Sequence, residues 1–162
     1  MRYFTLADHD ALLPIFGDAE VMRFGDGPRP PGWVRGWLRD CLAGYARRGY
    51  GPWAVVAKTS DAIIGYCGLF YIPDVNGRSE IEIGYRLARV WWGRGYATEA
   101  VIAARDYAFG TLSLTRLIAL IDPANAASIR VAEKAGLRHE ADVMLPGYTH
   151  PDRVYVVTRP TD

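Results

Sequence analysis

The sequence predicts a mixed α/β fold in a single domain, and three patterns support this. Apolar residues recur at helical spacing between Trp33 and Tyr45, and they alternate with polar residues from Glu80 to Leu87. After that strand, a helical pattern leads to a short apolar run at 116–121, which is typical of a strand–helix–strand unit. A chain of 162 residues has the length of one globular domain, so we expect residues 1–162 to form one domain.

Composition and charge exclude several classes of protein. Half of the residues are hydrophobic and 23% are charged, which excludes disordered, collagen-like and transmembrane chains. The net charge of +1 gives no broad electrostatic field, so we expect no nucleic acid and no membrane as partner. Cys41 and Cys67 can build neither a disulfide framework nor a zinc cluster. The first residues lack the apolar core of a signal peptide, and we expect a cytoplasmic location.

The N-terminal part of the chain contains two predicted helices. Residues 2–5 can form a short strand, and Asp8 is the expected N-cap of a helix that reaches Phe16, with Pro14 kinking or shortening it. A second helix is predicted over 33–45, because its apolar residues share one face while arginines fall on the other. We expect the aromatic residues of that helix to pack in the core.

Three strands follow these helices. The runs 53–58 and 62–70 are strand-like, and the turn 59–61 between them is typical of a hairpin. The alternating run 80–87 is the third strand. We therefore expect a mostly antiparallel central sheet flanked by helices.

The C-terminal half alternates helices with strands. A helix is predicted to end at Gly110, and the buried strand 116–121 follows it. Asn125 is the expected N-cap of a helix over 126–135 that ends at Gly136. Closing strands are predicted around Val143 and over 153–157.

The turn between strand 80–87 and the following helix contains Gly93 and Gly95. The N–H groups at the start of a helix, with the positive end of its dipole behind them, attract an anion. Glycines let a phosphate approach the backbone closely, so we expect an anion site here. The turn has neither the Lys-Ser/Thr ending of a nucleotide-triphosphate loop nor a third glycine at the Rossmann spacing, which disfavours ATP and NAD.

Three motifs follow one another along nearly the whole chain. They are Glu82-Ile-Gly-Tyr85, Trp92-Gly-Arg-Gly-Tyr-Ala-Thr-Glu-Ala100 and Asn125-Ala-Ala-Ser-Ile-Arg-Val-Ala-Glu-Lys-Ala-Gly-Leu137. Together they resemble the acetyl-CoA site of the GNAT superfamily of N-acetyltransferases, and the most similar branch is that of the ribosomal-protein N-terminal acetyltransferase-like proteins. The resemblance implies acetyl-CoA as cosubstrate, no metal, and a central sheet that is splayed.

The resemblance assigns the contacts with acetyl-CoA to three stretches of chain. The backbone of Tyr85, Arg86 and Leu87 would pair with the pantetheine arm like an added strand. Asn125 and Ser128 would reach the pantetheine from the following helix. The pyrophosphate would lie on the amides of the glycine turn, whose residues are Gly93, Arg94, Gly95, Tyr96, Ala97 and Thr98.

Two departures from the family pattern change these assignments. Relatives often carry Gln or Arg three residues before the first glycine, and this sequence has an apolar residue there, so some contacts would shift to Arg89 or Arg94. Many relatives also use a tyrosine seven residues after the helix-opening Asn as general acid, where this sequence has Ala132. Ser128 or a water molecule is then the candidate acid.

Direct attack of an amine on the thioester requires a group that accepts the ammonium proton, and a carboxylate with a raised pKa suits that work. Glu82 is the first candidate because it lies nearer the expected splay of the sheet, while Glu80 shares its strand face. A strand-edge carboxylate paired with an arginine is the structural alternative, and His139 is another candidate base. Cys41 and Cys67 fall in predicted buried elements, which disfavours an acyl-cysteine intermediate.

The acceptor implied by the resemblance is a primary amine, either a small molecule or a protein N-terminus. The early helices and late strands that would form the acceptor groove carry no motif. The resemblance also allows a homodimer. A CoA-binding sensor or interaction module without turnover is the alternative function. A nucleic-acid binder would have only scattered arginines in its support.

Overall fold

In the computed structural model, which describes residues 1–160, the strand order of the sheet is β1-β2-β3-β4-β6-β5. The strands are β1 (Pro52–Val56), β2 (Ile63–Val75), β3 (Arg78–Leu87), β4 (Arg116–Ile121), β5 (Arg138–Val143) and β6 (Asp152–Thr158). The helices are α1 (His9–Phe16), α2 (Ala19–Met22), α3 (Pro31–Arg48), α4 (Tyr96–Gly110) and α5 (Ala126–Lys134). The β3–β4 pair is parallel, whereas β1–β2, β4–β6 and β5–β6 are antiparallel. The predicted mixed, mostly antiparallel sheet with flanking helices is confirmed.

The described chain divides into two compact units, the first of which contains Met1–Gly68 and Tyr85–Ala100. Its longest helix is α3, which begins with a proline in its first turn and ends at Gly49, where φ is +74°. The aromatic face predicted for this helix packs on Phe16, whose ring centre lies 5.3 Å from that of Trp33 and 5.0 Å from that of Trp37. The prediction that these aromatics belong to the core holds only in part, because Trp37 is half-buried whereas Trp33 is 38% exposed.

The N-terminal segment differs from the prediction. The expected strand over residues 2–5 is reduced to one bridge, between Arg2 and Ala54. Asp8 does not cap α1, because its own backbone is already helical and its side chain makes no capping hydrogen bond. The buried carboxylate instead accepts hydrogen bonds at 2.8 Å from both terminal guanidinium nitrogens of Arg2 and from the Thr5 N–H. α1 continues for two residues beyond Pro14.

The second unit contains Leu69–Gly84 and residues 101–160. Its core is an apolar cluster of five buried side chains from β2, β4, β5 and β6. The predicted end of α5 is confirmed, because Gly136 has a φ of +86° and Leu137 behind it is buried. Within residues 1–160, no helix is long and apolar enough to cross a bilayer. The cluster residues are Val75, Ile118, Val143, Val154 and Val156.

The hairpin between β2 and β3 extends further than predicted. β2 continues to Val75 rather than ending at Phe70, and the chain turns at Asn76 and Gly77. These residues have φ values of +52° and +85°, as a two-residue turn of type I′ requires. The Asn-Gly dipeptide is the usual signal for this turn, and it explains why both strands are long.

Candidate functional site

Two glycines in left-handed conformation shape the turn between β3 and α4. Gly93 has a φ of +74° and Gly95 a φ of +85°, which residues with a side chain rarely adopt. A Cβ atom built on either glycine meets no atom within 4 Å. The backbone conformation, and not the packing of the protein, therefore selects glycine here, and the space beside the turn is open.

The helix α4 begins directly after this turn. The Glu99 N–H donates to the Gly95 carbonyl at 3.0 Å, which places the N–H groups of Tyr96, Ala97 and Thr98 before the first hydrogen bond of the helix. The positive end of the helix dipole lies at the same place. The turn and the first turn of α4 thus lie together at residues 93–98, where the sequence predicts that the pyrophosphate binds.

Aromatic and cationic side chains support the turn. The exposed Arg94 guanidinium lies 5.2 Å from the centre of the Trp91 ring. The Trp92 indole N–H donates to the Leu87 carbonyl at 2.7 Å, which ties the turn to the end of β3. Because a carbonyl oxygen has two lone pairs, the predicted pairing of the Leu87 backbone with pantetheine would share this oxygen with Trp92.

The side chains of Arg86 and Arg89 are already engaged within the first unit. Arg86 donates to the Val21 carbonyl at 2.9 Å and to the Tyr66 hydroxyl at 3.2 Å. Arg89 lies 3.6 Å from Asp18, so the shift of a phosphate contact to Arg89 would break an ion pair. Arg86 can therefore serve the predicted cosubstrate contact through its backbone, and the exposed Arg94 is the better placed cation.

Glu80 and Glu82 lie on the same face of β3, but their side chains have different surroundings. Glu80 is buried, and it pairs with Arg78 at 2.6 Å and with Arg116 at 3.1 Å. Glu80 is therefore a strand carboxylate paired with arginines, which is the structural alternative to a general base. Glu82 is half-buried and, in the part of the chain that is described, lies at the single registered pair of β3 and β4, opposite Ile118.

His139, the other candidate base, is a surface residue of β5. Its imidazole is 2.8 Å from the Asp142 carboxylate, and both side chains are about half exposed. Its ring centre lies 5.7 Å from that of Tyr155 on the neighbouring strand β6. This environment favours a local surface pair over a role as general base.

The start of α5 carries the two residues predicted to reach pantetheine. The Asn125 side-chain oxygen accepts the Ser128 N–H at 3.1 Å, so the predicted N-cap is confirmed. The cap uses the carbonyl end of the amide, which leaves the amide nitrogen as the donor that could reach a ligand. Ser128 is half-buried in the first turn of the helix.

Neither cysteine fits a nucleophile. Cys41 and Cys67 are buried, and burial raises the pKa of both thiols to about 12. Because the thiolate is the reactive form, both side chains are inert near neutral pH. Within residues 1–160, no group of three or more His, Cys, Asp or Glu residues is arranged to hold a metal ion.

No pattern in the sequence indicates a special role for Asp152, the first residue of β6. This side chain is buried, and within the described chain its Oδ1 has no hydrogen-bond partner. Asp122 and His150 lie near it and act on its charge. The local sequence offers only a His-Pro-Asp run, which does not reveal that the last residue becomes buried.

The open mixed sheet and the glycine turn that opens a helix define the acetyltransferase class, and comparison with known proteins agrees. Residues 1–138 match the family described as Acetyltransferase (GNAT) domain, and the chain belongs to that family. The uncharacterized N-acetyltransferase p20 of Bacillus licheniformis is 34% identical over 146 residues, covering 86% of this chain and 79% of that protein. The uncharacterized protein YkkB of Bacillus subtilis is 35% identical over 130 residues, covering 80% and 74%.

Among solved structures, an acetyltransferase from Agrobacterium tumefaciens superposes with a TM-score of 0.82 at 29% identity. The superposition covers 98% of this chain and 89% of that one. The protein is thus an acetyl-CoA-dependent N-acetyltransferase.

Proposed function

We propose that residues 1–162 act as one domain that transfers the acetyl group of acetyl-CoA to a primary amine by direct attack. The observation that carries the proposal is the pair of left-handed glycines, Gly93 and Gly95, which open the N-terminus of α4 toward free space. A single cosubstrate with a diphosphate group matches that arrangement. The inert thiols of Cys41 and Cys67 favour direct attack over a route through an acyl-enzyme.

Acetyl-CoA, when bound, supplies the activated thioester, and we assign its recognition to three parts of the chain. The amides of residues 93–98 bind the pyrophosphate, and the exposed Arg94 adds a positive charge nearby. The backbone of Tyr85–Leu87 pairs with the pantetheine arm. Asn125 and Ser128 contact the same arm from the first turn of α5.

We assign the proton transfers to Glu82 and to Ser128 or a water molecule. Glu82 accepts the proton that the attacking ammonium must lose, directly or through water. Its half-buried position on β3, at the registered pair with Ile118 of β4, supports this role. Ser128 or a water molecule protonates the departing thiolate, and the backbone near Gly84 and Tyr85 polarises the thioester carbonyl.

The acceptor is a primary amine on a small molecule or on a protein N-terminus. Membership of the ribosomal-protein N-terminal acetyltransferase-like branch stays a prediction that rests on the three sequence motifs. A homodimer and a cytoplasmic location are likewise predictions from the sequence.

Release of free thiol from acetyl-CoA across a panel of amines tests this function. The panel contains methylamine, 1,4-diaminobutane, glycinamide and trialanine, which represent small amines, polyamines and peptide N-termini. We expect thiol release with at least one of them and stabilisation of the protein by CoA. Binding of acetyl-CoA without thiol release for any amine would instead support a CoA-binding sensor.

A further inference from the structure

The peptides at the end of β3 point alternately toward β2 and toward the opposite edge of the strand. The Ala88 N–H donates to the Ile64 carbonyl of β2 at 2.8 Å. The Leu87 carbonyl of the same peptide therefore points to the opposite edge, where it accepts an indole N–H. Because successive peptides of a strand alternate in direction, the two peptides that flank Arg86 place the Tyr85 carbonyl and the Leu87 N–H at that opposite edge. An added strand, or a pantetheine arm, would contact these groups.

The Arg86 side chain fastens this strand end to two other elements of the first unit. Nη1 donates to the Val21 carbonyl of α2 at 2.9 Å, and Nε donates to the Tyr66 hydroxyl of β2 at 3.2 Å. Val21 and Tyr66 are both buried. The Tyr66 ring centre lies 5.7 Å from that of Phe16 and 5.1 Å from that of Trp37. Arg86 thus donates to two acceptors that the aromatic core holds in place.

Glycines on two sides let Arg86 approach its neighbours closely. A Cβ atom built on Gly25, in the segment after α2, would lie 2.6 Å from Nη2 of Arg86. A Cβ atom built on Gly65 of β2 would lie 2.1 Å from the Arg86 carbonyl oxygen. The side chain of Arg86 is therefore packed against the α2 segment and its backbone against β2, so loss of the guanidinium would release the strand end on the α2 side.

We propose that Arg86 is a positioning residue for acetyl-CoA, whose side chain holds the end of β3 in the extended form that pairs with pantetheine. The inference rests on the proposed function, which places the pantetheine arm along Tyr85–Leu87. Without the hydrogen bonds of Arg86, the strand end must be ordered when the ligand binds, and ordering the backbone of one residue lowers affinity about tenfold. The conformation of the turn at 93–98 depends on its own glycines, so the binding of pyrophosphate should not depend on Arg86.

Titration calorimetry with ADP and with dephospho-CoA tests this role, because the two ligands differ by the pantetheine arm on the terminal phosphate. We expect the wild type to bind dephospho-CoA more tightly than ADP. In the Arg86→Met variant, the affinity for dephospho-CoA should fall about tenfold and the affinity for ADP should stay unchanged. Arg23→Met, which removes a half-exposed arginine at the end of α2, is the control and should keep both wild-type affinities.

Arg86→Lys decides the question if Arg86→Met does not fold. The ammonium of lysine keeps the charge and a donor for the Val21 carbonyl, but it lacks the planar fork with which arginine reaches Tyr66 as well. We expect a smaller loss of affinity that is again confined to dephospho-CoA. Equal losses for ADP and dephospho-CoA would show that Arg86 supports only the fold, and wild-type affinities in the folded variants would show that it positions nothing; either result would overturn the proposal.

Kinetics give a second readout that a purely structural role would not produce. With an amine that is acetylated, Arg86→Met should raise the KM for acetyl-CoA about tenfold and leave kcat and the KM for the amine nearly unchanged. A lower kcat with an unchanged KM for acetyl-CoA would contradict the proposal. Failure of the wild type to bind either ligand would instead overturn the proposed function, whereas a wild type that binds both, with the same preference for dephospho-CoA in Arg86→Met, would overturn this inference alone.

Discussion

The Nε atom of Arg116 lies 3.1 and 3.2 Å from the two carboxylate oxygens of Glu80. This contact joins β4 to β3 and neutralises a charge that is otherwise buried. The remaining guanidinium nitrogens donate to Glu140 at 3.0 and 2.6 Å. Arg116 thus holds carboxylates from two strands, and Glu80 belongs to the framework of the sheet.

Replacement of Arg116 should therefore affect stability. We expect Arg116→Met to lower the free energy of unfolding by about 3 kcal/mol, because Glu80 would lose the partner that is itself mostly buried. Arg78→Met removes the half-exposed partner and should cost less than about 1 kcal/mol. Urea denaturation of both variants measures the difference, and equal losses would show that the burial of Arg116 adds nothing.

Glu82→Gln should lower turnover far more than it weakens the binding of acetyl-CoA. A general base contributes a factor of about 10² to 10⁴ in rate, and an amide cannot accept the proton. The defect should shrink as the pH rises toward the pKa of the amine, because more of the amine is then neutral. Thiol release at saturating acetyl-CoA over a range of pH values measures both effects.

Glu80→Gln provides the comparison for this variant. Its carboxylate is committed to Arg78 and Arg116, so we expect a lower melting temperature and a nearly normal kcat for the folded enzyme. The reverse pattern, with normal turnover in Glu82→Gln and lost turnover in Glu80→Gln, would assign the base to Glu80.

Asp8 should make stability depend on pH in the acidic range. The hydrogen bond from Arg2 is the main cause that holds the pKa of Asp8 below its ordinary value of 3.8 in the folded protein. The stabilisation is therefore complete above the pKa of the unfolded chain and is lost as the pH falls through the lower, folded value. Asp8→Asn should be less stable than the wild type near neutral pH, and the difference should narrow below about pH 4.

Thermal unfolding between neutral and acidic pH measures this dependence. Asp40→Asn, which changes an exposed carboxylate on α3, serves as the control and should follow the wild type. A constant difference between Asp8→Asn and the wild type at every pH would contradict the role of the Arg2 pair.

Gly65 should not tolerate a side chain. A Cβ atom at this position on β2 would lie 2.1 Å from the Arg86 carbonyl oxygen and 2.7 Å from the Leu87 Cα. Backbone atoms cannot move away cheaply, so we expect Gly65→Ala to lower the free energy of unfolding by about 3 kcal/mol. In contrast, Gly36→Ala in the interior of α3 meets no atom and should stabilise the helix by about 0.5–1 kcal/mol. Equal effects in denaturant titrations would contradict the close approach of β2 and β3.

Local patterns in the sequence predicted much of the fold. The helical spacing over 33–45 and the alternation over 80–87 each recur within one element, so no distant contact is needed to detect them. Asn125 as the cap of α5 was predictable for the same reason, because its partner Ser128 is three residues away. The turn after β2 has an equally local signal, the dipeptide Asn76-Gly77.

The roles of the acidic side chains depended on contacts between distant residues. Glu80 and Glu82 lie on one face of β3, and Glu80 differs through its ion pair with Arg116, which is 36 residues away. Asp8 has the sequence of an N-cap, but the proximity of Arg2 changes its partner. The charge of Asp122 acts on Asp152 because β4 pairs with β6, and composition and periodicity do not determine that pairing.

We propose above all that the turn at Gly93 and Gly95 binds the pyrophosphate of CoA, and titration calorimetry with CoA tests this binding most directly. Gly95→Ala is compared with Gly77→Ala, because both glycines have a φ of +85° and a Cβ on either meets no protein atom within 4 Å. Both variants should lose about 1 kcal/mol of stability from backbone strain. We predict that CoA binds at least about tenfold more weakly to Gly95→Ala, because the new methyl group occupies the space of the phosphate, and with unchanged affinity to Gly77→Ala. Equal affinities in the two variants would place the pyrophosphate elsewhere and contradict the account.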